Sequence, residues 1–169
     1  MTDDTRRTTE MAVVGCLLID SRAIDTLIEQ GGDASWFTDP SCRKVAQAIL
    51  TRYEQGKIAS DMLAINELGL VTMRWMDECI ELVPTVAHTE HYVATLKGYV
   101  DKDALIALER AIGAIVSHCT PETVQEARAS IEEALSASLR IDTQGGGTIS
   151  QAAHDAIDEA TAPDANTHL

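Results

Sequence analysis

The sequence predicts an all-α fold, on three observations. Apolar residues recur three and four apart along most of the chain, aromatic residues make up only 4%, and no stretch alternates convincingly with period two. Side chains three and four apart share one helix face, whereas strands need period two and are usually richer in aromatic and β-branched residues. The expected organisation is a small helical head, a long helical hairpin, a glycine linker and a short linker helix.

Taken in order, residues 1–8 are polar and are expected to form a disordered lead, with the head occupying 9–97. Thr8 or Thr9 can cap a helix through Ile19 that carries Met11, Val14, Leu17 and Leu18. A second helix follows Ser21 with Ile24, Leu27 and Ile28, and stops at Gly31-Gly32, because glycine accepts left-handed backbone angles cheaply. Trp36-Phe37 are expected to anchor the core rather than to stack on a ligand. Asp39 is a good N-cap and Pro40 fits the first helical turn, starting a helix through Val45, Ala46, Ile49, Leu50 and Tyr53 to Gly56.

Ser60 is the expected cap of a short helix holding Leu63, Ile65 and Leu68 and ending at Gly69. Thr72 caps the next, with Trp75, Met76, Cys79, Ile80 and Val83 before Pro84 breaks it. The longest element then begins near His88. Gly98 inside it suggests a bend or a close approach of two backbones, since a mid-helix glycine costs about 1 kcal/mol against alanine.

The hairpin is expected over 98–140, its first arm carrying Leu105, Leu108, Ile112 and Ile115 at alternating spacings of three and four. A turn at His118-Cys119-Thr120-Pro121 follows, with Thr120 as cap, Pro121 in the first turn and Glu122 near the positive helix end. The second arm continues the stripe less regularly through Val124, Ala127, Ile131, Ala134 and Leu139. Leu105, Leu108, Ile112, Ile115, Ile131 and Leu135 are the candidate self-association residues. Residues 141–148 read as a flexible linker because of Gly145-Gly146-Gly147. Residues 149–162 read as a linker helix whose docking face is Ile149, Ala153, Ala156 and Ile157, followed by a tail over 163–169. Such a helix is marginal alone in water and is expected to dock on its own chain or another.

Composition narrows the function. Hydrophobic residues at 45% and charged residues at 24% are ordinary for a globular protein. A chain of about 150 residues buries roughly 68–70% of its unfolded surface, so no metal or disulfide is needed to hold it. Acids outnumber bases 27 to 13, for a formal net charge of −14, and no basic run exceeds Arg6-Arg7 or Arg43-Lys44. Binding a phosphate backbone requires clustered cations, so direct nucleic-acid binding is not expected. Cys16, Cys42, Cys79 and Cys119 form no CxxC pair and are expected to be reduced, structural thiols. The polar start is no signal peptide, no apolar run approaches the ~20 residues of a membrane span, and the default compartment is the cytoplasm.

Tests for chemistry fail one by one. Lys57 after Gly56 is followed by Ile58, and Gly145-Gly146-Gly147 precedes Thr148 with no lysine, so neither is a P-loop. His88 and His91, three apart with Glu90 between them and His118 and Cys119 further on, are the only start of a metal site. A structural zinc normally draws ligands from two clusters, and the second is missing. A metal-dependent helical enzyme built on His88 and His91 is thus a remote alternative. No strand-turn-helix frame places a nucleophile, and the acid pairs Asp77-Glu78 and Glu132-Glu133 read as solvated helix faces.

The segment Glu10-Met11-Ala12-Val13-Val14-Gly15-Cys16-Leu17-Leu18-Ile19-Asp20 resembles the opening of the N-terminal domain of DnaB-type bacterial and phage replicative helicases. Trp36-Phe37, Arg43, Ala48-Ile49, Tyr53-Glu54-Gln55-Gly56-Lys57, Asp61, Glu81-Leu82-Val83-Pro84-Thr85 and His91-Tyr92 follow in that family's order, so the likeness runs from Glu10 to Leu139. The segment from Asn66 to Met73 is shorter than the family usually has. The resemblance implies a helical head and a hairpin that pairs with a second subunit's, such pairs forming a trimer-of-dimers collar. It also implies a docking surface for the C-terminal domain of primase, with a helicase loader as a further partner. ATP and Mg would belong only to a RecA-like motor domain, so no cofactor is expected of these residues. The chain is expected to be a piece of a longer helicase, and failing that a stand-alone loader, inhibitor or adaptor that mimics the collar.

Overall fold

A computed structural model describes residues 2–144, with side chains from 3 to 139. Among these there are seven α-helices and no strand, so the fold is all-α as expected. The helices are α1 (Thr2–Ile19), α2 (Arg22–Glu29), α3 (Pro40–Glu54), α4 (Met62–Glu67), α5 (Met73–Glu81), α6 (Thr89–Ser117) and α7 (Val124–Gln144). Short 3₁₀ turns occupy Ala34–Trp36 and Val86–His88. The chain divides into two compact units between Tyr99 and Val100, inside α6. No described helix is long and apolar enough to cross a membrane.

The head is built around α1, which packs on α5, α3 and α2. Val13, Val14, Cys16 and Leu17 are all fully buried. A helix with partners on several sides needs apolar residues round most of its circumference, and α1 has them. Phe37, Val45, Ile49, Ile65, Met76 and Leu96 complete the core, and Trp36 is buried beside Phe37 as expected.

Local capping fixes most helix ends. Asp39 accepts the backbone N–H groups of Ser41 and Cys42 at 3.0 Å each, directly before Pro40. Thr72 caps α5 by accepting from the Trp75 N–H. Gly31, at φ 78°, closes α2: its N–H donates to the Ile28 carbonyl and that of Gly32 to the Leu27 carbonyl, the Schellman arrangement.

Several expectations need correction. Residues 2–8 are not a disordered lead but the first turns of α1. Asp3 and Asp4 lie at its positive end, and Thr8 and Thr9 donate back to the carbonyls of Asp4 and Thr5 instead of capping. Arg6 and Arg7 then tie this extension to Glu10 and Asp39. The cap of α4 is Asp61, not Ser60, because its carboxylate reaches the N–H groups of Leu63 and Ala64.

Gly98 marks no close approach: α6 continues through it, and a Cβ there would meet nothing within 4 Å. The second hairpin helix starts at Val124 rather than at Pro121, since Thr120 and Thr123 bond each other across a turn that delays it. It also runs to Gln144, beyond the expected linker boundary at 140–141, because no glycine or proline interrupts it before Gly145. The glycine run, the linker-helix face Ile149, Ala153, Ala156 and Ile157, and the tail lie outside the described residues.

Asp39 gives the head a pH dependence. Burial raises its carboxyl pKa, but the Cys42 N–H, the Arg7 guanidinium at 3.0 Å and the Ser41 N–H outweigh it and hold the group below its usual range. A depressed folded pKa contributes stability above the ordinary value, which is lost as pH falls through the folded one. The thermal midpoint is therefore expected to drop on acidification below about pH 4. Asp39→Asn, which keeps an accepting oxygen but has no charge to lose, should show less of that drop in a melt series over roughly pH 5 to 3.

Candidate self-association surface

The second unit contains the distal part of α6 and, after the turn at residues 118–123, α7. Each helix carries apolar residues of two kinds. Val100, Ala104, Leu108 and Ala111 on α6, with Ala134 on α7, are buried. Leu105 is 60% exposed, Val116 58% and Leu139 70%, while Leu135 and Val124 are at 41% and 40%. Ile112, Ile115 and Ile131 are half-buried.

The spacings explain the division. Ala104, Leu108 and Ala111 are four and three apart and share one strip, which the chain itself covers. Leu105, Ile112 and Val116 are seven and four apart and form a second strip, mostly open to solvent. On α7, Ile131, Leu135 and Leu139 repeat every four residues and grade from half-buried to exposed. Of the six residues expected at a subunit contact, Leu105 and Leu135 are thus exposed, Ile112, Ile115 and Ile131 are partly so, and Leu108 has already been covered by its own chain. Val116 and Leu139, outside that set, are exposed as well. Extending the seven-and-four spacing from Leu105 and Ile112 reaches Val116.

His88 and His91 are both exposed, and among the described residues no three His, Cys, Asp or Glu side chains stand close enough to hold a metal ion. The His118 ring bonds the Ala114 carbonyl through Nδ1 at 2.9 Å. None of the four cysteines is bridged. Burial pushes up the thiols of Cys16, Cys42 and Cys79, that of Cys79 to about 12, so all three stay protonated and poorly nucleophilic.

A family model described as the DnaB-like helicase N terminal domain matches residues 4–98. The chain belongs to that family. It is the N-terminal collar domain of DnaB-type helicases, a non-catalytic part of the replication machinery. No curated protein and no solved structure matches the chain.

The match stops within two residues of the boundary at Tyr99, so the matched residues are those of the head. The geometry there shows what the motif residues do. Glu10 is completely buried, and its carboxylate accepts from the Thr38 N–H at 2.9 Å, the Thr38 hydroxyl at 2.7 Å and the Asp39 N–H at 2.8 Å. Arg6 supplies the counter-charge at 3.2 Å and stacks over the Tyr99 ring. Gly15 lets α1 lie against the backbone of Cys79 in α5.

Arg43 donates through Nε to the Phe37 carbonyl at 2.9 Å, fastening the Trp36-Phe37 turn to α3. The Tyr53 hydroxyl bonds Asp25 at 2.5 Å and joins α3 to α2. Thr85, in the Val-Pro-Thr segment, caps the turn that leads into α6 by accepting the Ala87 N–H. These residues build the DnaB-like head.

Proposed function

We propose that this DnaB-like domain is a non-catalytic self-association and docking module of a replicative helicase, working in cytoplasmic DNA replication. It pairs with a second copy through the hairpin and presents the collar to the C-terminal domain of primase, with a helicase loader as a further partner. The observation that carries the first half is the second apolar strip of α6 together with the α7 row, in which Leu105, Val116 and Leu139 are all more than half exposed. Burying such a side chain fully contributes roughly 1.5–3 kcal/mol before the entropic costs of association. Several together are enough to favour a dimer. Family membership supports the second half, because the collar is where this class of helicase meets its partners.

A double variant, Leu105→Asp with Leu139→Asp, tests the pairing. Both side chains are exposed within the chain, so helical circular dichroism is expected to stay unchanged while the assembly mass measured by light scattering falls towards the monomer. Leu108 is the wrong position for this test. Truncating it to alanine removes a buried side chain and is expected to lower stability by about 2–5 kcal/mol whatever the oligomeric state. Titration of the wild-type chain with the C-terminal domain of the cognate primase tests docking separately; no heat and no mass shift would remove primase from the reading and leave self-association standing.

A further inference from the structure

On the head, an open groove of about 560 Å³ is lined by Ala34 and Ser35 of the first 3₁₀ turn, by Arg43, Lys44, Gln47 and Ala48 along one face of α3, and by Leu70. Its apolar lining comes from Ala34, Ala48 and Leu70. Its charges are both positive. Arg43 and Lys44 are exposed, and among the described residues neither has a carboxylate within ion-pair distance. Arg43 is not loose, since its Nε bond to the Phe37 carbonyl holds the guanidinium base in place. In a chain with 27 acids and 13 bases, two adjacent unneutralised cations beside an apolar cleft stand out by charge.

We propose that this groove takes an acidic segment of a partner protein that also carries large apolar side chains. The carboxylates would meet Arg43 and Lys44, and a leucine or isoleucine would cover Ala48 and Leu70. Charge complementarity selects this occupant. An acidic segment is attracted to the groove and repelled by the acid-rich remainder of the surface, which gives both orientation and specificity. A nucleic acid is a poorer fit, because two cations neutralise few phosphates and the net charge of −14 opposes the rest of the strand. The site lies on the head.

Fluorescence anisotropy with the full chain tests the proposal. The probe is a labelled peptide of glutamate, alanine and leucine, with the glutamates and leucines on one helical face. It is expected to bind, more weakly as salt is raised, and about tenfold more weakly to Lys44→Glu, an exposed position with no ion pair among the described residues. The double variant Arg43→Glu/Lys44→Glu should bind still less, and replacing the peptide's leucines by glutamine should also abolish most of the binding. Absence of binding, equal binding to Lys44→Glu, or preferential capture of a labelled oligothymidylate by Arg43 and Lys44 would each overturn it.

Discussion

Replacing Glu10 by alanine is expected to destabilise the head by about 3–5 kcal/mol, the cost of removing one partner from a buried charged network. The carboxylate is fully buried and serves four donors: the Thr38 N–H and hydroxyl, the Asp39 N–H and Arg6. Without it two backbone N–H groups at the entry to α3 lose their acceptor, and the Arg6 guanidinium, 12% exposed, loses the Glu10 carboxylate as a partner. Single domains are stable by only ~5–15 kcal/mol, so the variant should be marginal. Glu10→Gln keeps one oxygen but turns an NH₂ towards a donor, and about 1–3 kcal/mol of loss is expected. Urea unfolding followed by tryptophan fluorescence reports on this unit, because Trp36 and Trp75 both belong to it. A midpoint for Glu10→Ala equal to that of the wild type would mean that the network contributes nothing.

Adding one methyl group at Gly15 should also be costly, against its usual sign. Glycine to alanine inside a helix ordinarily gains about 1 kcal/mol. A Cβ at Gly15, however, would stand 2.3 Å from the Cys79 carbonyl oxygen and 2.8 Å from its carbon. Those are backbone atoms of α5 and cannot turn aside as a flexible side chain could, so α1 and α5 must separate where they pack. A net loss of roughly 1–3 kcal/mol is expected for Gly15→Ala. Gly98→Ala is the matched control. Nothing lies within 4 Å of its Cβ, and the ordinary gain should appear. If both substitutions stabilise the protein, α1 and α5 are not held as closely as described.

Much of the head was legible in the sequence because its signals are local. Asp39-Pro40, Thr72 and Gly31-Gly32 announce helix ends through bonds reaching only a few residues. What was missed depends on residues far apart. The start of α1 was read as a polar lead because the partner of Arg7 is Asp39, thirty-two positions on, and the acceptors and donors around Glu10 lie across a comparable span. The delayed start of α7 is subtler, since Thr120 has the right chemistry for a cap but is occupied by Thr123.

In the hairpin the apolar pattern holds residues of very different exposure. Leu105 and Leu108, three apart, differ by roughly 60° around a helix of 3.6 residues per turn, so a stripe of alternating threes and fours crosses two strips. Alanines hid the boundary. Ala104, Ala111 and Ala134 are among the buried positions, yet they add little to a hydrophobic pattern in which Leu105 and Leu139 stand out. The basic groove is not legible in the sequence for a different reason. Arg43 and Lys44 are adjacent in sequence, but Ala34 and Leu70 reach them only through the fold.

The motif residues that carry the family likeness thus make the head, and the exposed strip beyond residue 98 is the surface proposed for assembly. Sedimentation equilibrium of the unmodified chain at tens of micromolar tests that division most directly. A dimer or larger assembly is the expected result, with the mass falling on dilution and in the Leu105→Asp/Leu139→Asp variant. A monomer at every concentration, with the same mass for the double variant, would contradict it.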